Sequence, residues 1–119
     1  MKRTGWIFAV LLVLTASPAS AEEKFGVPVY PSAKYDEATS KALKESMGFN
    51  GACYRTNDPI SKVADFYRKQ GLESVGEVTR EGALFKKGKI NVTLQSPWMN
   101  MKTGAMMKDT LISIVQNGF

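Results

Sequence analysis

Ala83-Leu84-Phe85-Lys86-Lys87-Gly88-Lys89-Ile90-Asn91-Val92-Thr93-Leu94-Gln95 is the stretch that decides the fold. From Ile90 onward apolar and polar residues alternate strictly, the period of a strand with one face on a core and the other in water. Ala83-Leu84-Phe85 is the apolar run before it, and Lys86-Lys87-Gly88-Lys89 joins the two as a hairpin in which Gly88 is free to take a positive φ. A further run containing Val75 and Val78 precedes this pair. Thr110-Leu111-Ile112-Ser113-Ile114-Val115 supplies the last strand, so the second half of the chain reads as an antiparallel meander.

Upstream the period changes to that of helices. Asp36 is placed to cap a helix running to about Met47, with Gly48 as its stop and Ala38, Ala42, Leu43 and Met47 as a thin apolar stripe. Phe49-Asn50-Gly51-Ala52-Cys53-Tyr54-Arg55-Thr56 reads as a strand. In the next segment Asp58 is expected to cap and Pro59 to take the first helical position, where its missing N–H costs nothing. Ile60, Val63, Ala64, Phe66 and Tyr67 then recur at helical spacing, and Gly71 ends the helix after Arg68 and Lys69. Val27-Pro28-Val29-Tyr30 should be an edge strand, because Pro28 has no N–H for a central ladder, and Glu22 to Gly26 reads as a mobile polar lead-in. The expected fold class is α+β: an antiparallel sheet of about five to six strands with one or two helices packed on one face.

Residues 1–21 read as a secretory signal peptide. Lys2 and Arg3 form a positive start, Trp6 to Leu14 an apolar stretch, and Ala19-Ser20-Ala21 a small-residue cleavage site. The apolar run is about half the roughly 20 residues a spanning helix needs. Neither a lipid-accepting Cys nor an Arg pair accompanies it. Residues 22–119 are then expected to form one periplasmic or secreted domain without stable membrane insertion. Losing Lys2 and Arg3 takes the 16 basic residues to 14 against 11 acidic ones, a mild positive balance that argues against nucleic acid as a partner.

Enzyme readings fare poorly on the side-chain inventory. With one Cys and no His, neither an internal disulfide nor a papain-like nucleophile and base is available, and zinc or iron would lack a ligand set. Cys53 therefore reads as a small core residue, with a reactive thiol as the alternative. Ser61 and Lys62 are helical neighbours and do not face each other. Gly48 and Gly51 lack the spacing of a phosphate loop. The lysines of the 86–89 turn read as a solvated hairpin tip that resists edge-to-edge pairing, with an acidic or lipid surface as the other reading. Phe119 at the end of an alternating stretch does not make a membrane barrel, since the strands are too few and too short.

One segment departs from what a loop needs. Pro97-Trp98-Met99-Asn100-Met101-Lys102-Thr103-Gly104-Ala105-Met106-Met107-Lys108 holds four of the six methionines and one of the two tryptophans. Three readings compete. The loop folds back and its thioethers fill gaps over the sheet; or Trp98, Met99, Met101, Met106 and Met107 form an adaptable surface for a protein or peptide, with Tyr30 and Tyr35 placed nearby; or Met99, Met101, Met106 and Met107 bind Cu(I), which thioethers select.

Val27-Pro28-Val29-Tyr30-Pro31-Ser32-Ala33 and the stretch from Tyr54 to Tyr67 carry a resemblance. Their "PxYPxA" and "TxDxxxxVxxFY" patterns are similar to a loose group of small exported bacterial domains of uncharacterised function, with Ser32 where Gly is common. The resemblance covers roughly the first half of residues 22–119, implies an α+β fold and brings no catalytic residues. The resulting expectation is a non-catalytic binding or accessory module without cofactor, the alternative being a periplasmic Cu(I)-binding protein.

Overall fold

The computed structural model describes residues 22–116, so the expected export signal lies outside the described residues. The fold is α+β, with two helices, a six-stranded antiparallel sheet and two small two-stranded ribbons. In chain order the elements are β1 (Glu23–Lys24), β2 (Val27–Pro28), β3 (Lys34–Tyr35), α1 (Glu37–Met47), β4 (Asn50–Thr56), α2 (Ile60–Lys69), β5 (Glu73–Ser74), β6 (Gly82–Lys87), β7 (Ile90–Gln95), β8 (Trp98–Met99), β9 (Met106–Met107) and β10 (Thr110–Gln116). The sheet runs β3-β4-β10-β7-β6-β5.

Alternation sets the two faces. The register aligns Tyr54, Ile112, Leu94 and Ala83 in one row and Ala52, Ile114, Val92 and Phe85 in the next, all on the same side. All eight are buried, and Ile60, Val63, Ala64 and Tyr67 of α2 complete this core. Burying each such large side chain stabilises by about 1.5–3 kcal/mol. A slip of one residue would turn the whole set to the other face, which fixes the register. Gly51 permits the closest approach of β4 to β10: a Cβ there would stand 2.7 Å from the Ile114 carbonyl oxygen.

Helix α1 takes a different position. Its cap is as expected, with the Thr39 N–H donating to Asp36 Oδ1 at 3.1 Å and Gly48 closing the far end at φ 71°. β3 covers only two residues of β4, and α1 takes over that edge from there. The Asp36 N–H donates to the Cys53 carbonyl at 2.9 Å, and Ser40 Oγ accepts from the Cys53 N–H at 2.7 Å. Leu43 of α1 then packs with Cys53, Trp98, Leu111 and Met107, a second cluster on the face opposite α2. The one-face packing is thus the work of α2.

Four local expectations change. Asp58 does not cap α2: Pro59 holds the cap position without a side-chain hydrogen bond, because the Asp58 carboxylate accepts from Tyr30 Oη at 2.6 Å. Glu22 to Gly26 is not a loose lead-in, since Glu23 and Lys24 pair with Pro28 and Val27 around a turn at Phe25 (φ 57°) and Gly26 (φ 81°). The same pairing gives Pro28 a place outside the main sheet. Val27, Val29 and Tyr30 drive this ribbon onto the core, where the Tyr67 hydroxyl donates to the Pro28 carbonyl at 3.0 Å. The Val75 and Val78 run forms no strand: the short β5 ends at Ser74, and Gly76 at φ 76° turns the chain and leaves Val75 exposed.

Candidate functional site

β7 and β10 are neighbours in the sheet, and the chain between them, residues 96–109, leaves it to form the β8–β9 hairpin. The methionine segment is therefore an insertion at one end of the sheet, built as a strand ribbon. Its register sets Trp98 against Met107 and Met99 against Met106. Alternation does the rest. Trp98 is 2% exposed and Met107 packs beside it on the Cys53–Leu111 cluster, whereas Met99 and Met106 point outward at 58% and 57% exposure.

The inward face is anchored by polar contacts as well as by burial. The Trp98 indole N–H donates to Asp109 Oδ1 at 2.9 Å, and Arg55 Nε donates to Asp109 Oδ2 at 2.7 Å. The Arg55 guanidinium also lies over the indole, 5.1 Å from the ring centroid, and reaches Asp36 Oδ2 at 3.4 Å. The hydrogen bond to Asp109 raises the affinity of Arg55 for its proton, so the guanidinium is a fixed positive centre. One arginine on β4 thereby ties the cap of α1, the start of β10 and the ring of β8 together. A bidentate or stacked role of this kind suits Arg and not Lys.

The tip is braced from within. The Asn100 N–H donates to the Ala105 carbonyl at 2.8 Å and the Gly104 N–H to the Asn100 carbonyl at 2.7 Å. Asn100 Oδ1 accepts from the Lys102 and Thr103 N–H groups at 2.9 and 3.3 Å, and Gly104 takes φ 76°. Such an Asx turn satisfies the backbone locally and holds the loop without help from the sheet. Met101 leaves this turn at 49% exposure.

The five residues singled out in the sequence thus divide. Met99 and Met106 are brought together on the outer surface, Met101 is exposed in the turn between the two strands, and Trp98 and Met107 hold the hairpin from below. Gap filling over the sheet is the role of Met107 alone. Tyr35 lies near this end, lining with Arg55 and Asp109 a polar cleft of about 420 Å³. Tyr30 does not: it is buried against Phe66 on the α2 side, and its hydroxyl is pushed up to about 12 by burial and by the Asp58 carboxylate. Cys53 is 1% exposed, with its thiol 3.6 Å from Ser113 Oγ and its pKa raised by burial, the setting of an inert thiol.

Sequence reasoning missed the Asp36–Arg55–Asp109–Trp98 chain entirely. In the sequence Asp36 reads only as a helix cap and Trp98 only as part of the methionine segment, and Arg55 lies 19 and 54 residues from the two carboxylates it joins. It also missed a groove of about 300 Å³ beside α1, walled by Leu43, Met47, Phe49 and Val115 over a floor of Asn91, Thr93 and Gln95. Among the described residues no group of three or more His, Cys, Asp or Glu side chains is placed to hold a metal ion. Comparison with family models, with curated proteins and with solved structures finds no match.

Proposed function

We propose that this protein is an exported, non-catalytic binding module, periplasmic or secreted, that engages a protein or peptide partner through the outer face of the β8–β9 hairpin. One observation carries the reading. A braced two-stranded ribbon buries Trp98, packs Met107 half-buried beside it, and leaves Met99 and Met106, directly opposite each other, more than half exposed. Exposed side chains of this kind lose about 0.8 kcal/mol for each CH₂ left in water, which covering them returns. Their unbranched thioethers adapt to more than one partner shape. The signal-like residues 1–21 and the missing His and paired Cys support the exported and non-catalytic parts.

The test places a photo-crosslinking residue at position 106 in intact cells. A defined adduct that disappears when Met99 and Met101 are replaced by Ser supports the reading. A smear, or an adduct indifferent to those replacements, removes it.

The same cross-strand pair favours a second reading, Cu(I) binding by Met99, Met106 and Met101, since soft thioethers select that ion. Met107 leaves this set because its side chain packs on the inner cluster. Competition of the purified protein against a Cu(I) chelator separates the two: binding tighter than micromolar that falls on Met99→Leu and Met106→Leu supports the metal, and its absence leaves the partner reading alone.

A further inference from the structure

The end of the sheet opposite the β8–β9 hairpin gathers charge and apolar surface that are far apart in sequence. The register places Asn50, Gln116, Ile90 and Lys87 in one line across β4, β10, β7 and β6. The Lys87-Gly88-Lys89 turn therefore stands at the same end as the start of β4 and the close of α1, where Met47 and Phe49 are 55% and 39% exposed. Met47 and Phe49 share a groove with Asn91, and Asn91 pairs across the sheet with Lys86. Lys86 lies on the face of that groove and Lys87 on the other face, so the hairpin tip presents its lysines at the same end of the sheet that carries Met47 and Phe49.

Among the described residues these lysines close no ion pair. The ion pairs among the described residues join Arg55 to Asp36 and Asp109 and Arg68 to Asp65, and none involves Lys86, Lys87 or Lys89. Glu73 stands opposite Lys86 in the register without closing to an ion pair. Among the described residues Lys87 Nζ donates to the Gly26 carbonyl at 3.2 Å, which brings the β1–β2 turn and its Lys24 to the same end. An unmatched group of cations draws an anionic partner.

We propose that this end is a peripheral docking surface for an anionic lipid bilayer. Lysines are point charges without the fork of arginine, so they suit a surface whose phosphates diffuse laterally and do not offer fixed paired oxygens. Phe49 and Met47 would enter the headgroup boundary while the lysine stems lie along it with their ammonium groups at the phosphates. No helix among the described residues is long and apolar enough to cross a membrane, so contact of this kind stays at the surface. The proposal is independent of the methionine hairpin, which lies at the other end.

The experiment is co-sedimentation of the purified protein with phosphatidylglycerol/phosphatidylcholine vesicles and with phosphatidylcholine alone. Retention is expected on the anionic vesicles only and is expected to disappear in about 0.5 M salt, where screening falls to a few ångströms. The triple variant Lys86→Gln/Lys87→Gln/Lys89→Gln should weaken binding on the order of a hundredfold, about fivefold for each lysine near a charged surface. Met47→Ser with Phe49→Ser should weaken it severalfold. Equal retention on both vesicles, indifference to the lysine changes, or binding to polyglutamate without binding to vesicles would each overturn the proposal, the last in favour of an acidic protein.

Discussion

Tyr54, Ile112, Leu94 and Ala83 cross the sheet as an unbroken buried row, whereas the row one residue along, Cys53, Ser113, Thr93 and Leu84, begins with a buried thiol and opens to partial exposure. The first row is sealed by α2 with apolar contact. The second is covered in parts, by Leu43 of α1 at one side and by Trp98 and Met107 of the inserted hairpin at one end. Packing holds the first face, and a few polar contacts position what lies over the second. The methionine surface and the groove beside α1 both belong to that second, partly covered side.

The largest expected effect would break this comparison if it failed. Phe85→Ala, in the sealed core, should cost about 3–5 kcal/mol, and Leu43→Ala, on the open face, about 1–2 kcal/mol, read by urea unfolding. Equal costs would mean that the second face contributes as much packing as the first.

Next comes the polar anchor. Asp109→Ala leaves the Trp98 N–H and Arg55 Nε without their acceptor and should cost about 1–3 kcal/mol. Hydrogen exchange at Asn100 and Gly104 should quicken in that variant while the β7–β10 amides change less. If the hairpin exchanges as before, its position depends on burial of Trp98 alone.

The Tyr30–Asp58 bond gives a smaller, pH-dependent effect on the sealed side. The Tyr30 hydroxyl holds the Asp58 carboxyl below the usual carboxylate range, so its contribution is present above the unfolded Asp value near about 4 and is lost as pH falls through the folded one. Burial and Asp58 push Tyr30 up to about 12, so its contribution is present below the unfolded tyrosine value of about 10 and is lost as pH rises through the folded one. The stability gap between wild type and Tyr30→Phe should be flat from about pH 5 to 9 and close toward acid. A gap that persists at pH 2 would show that the hydroxyl acts without the charge of Asp58.

The smallest stability effect sharpens the contrast from the other side. Met99→Ser with Met106→Ser should shift unfolding by less than about 0.5 kcal/mol, as for other surface changes. A larger loss would mean that these thioethers support the ribbon itself.

The strands and helices that carried strong periodic signals were legible. Ile90 to Gln95 and the Ile60, Val63 and Tyr67 stripe declare their buried sides through local period, and Asp36 and Gly48 declare the ends of α1 through capping chemistry. Asp58 misled because its carboxylate had two possible partners, and Tyr30, 28 residues away, holds it. Val75 and Val78 misled because Gly76 between the two valines reverses the chain. In the methionine segment, composition marked the place, but which side chains face water depended on pairing Met99 with Met106 across a turn.

By itself, then, the chain of 119 residues determined the α+β class, the apolar faces of its main strands and helix, and the lack of His and of a second Cys, because these are properties of period and inventory. Only the tertiary structure decided that β10 enters between β4 and β7, that Arg55 gathers Asp36, Asp109 and Trp98, and that Lys87 shares an end of the sheet with Phe49. Such neighbours come from strand order and register between distant segments, and no local spacing records a contact that only chain closure creates.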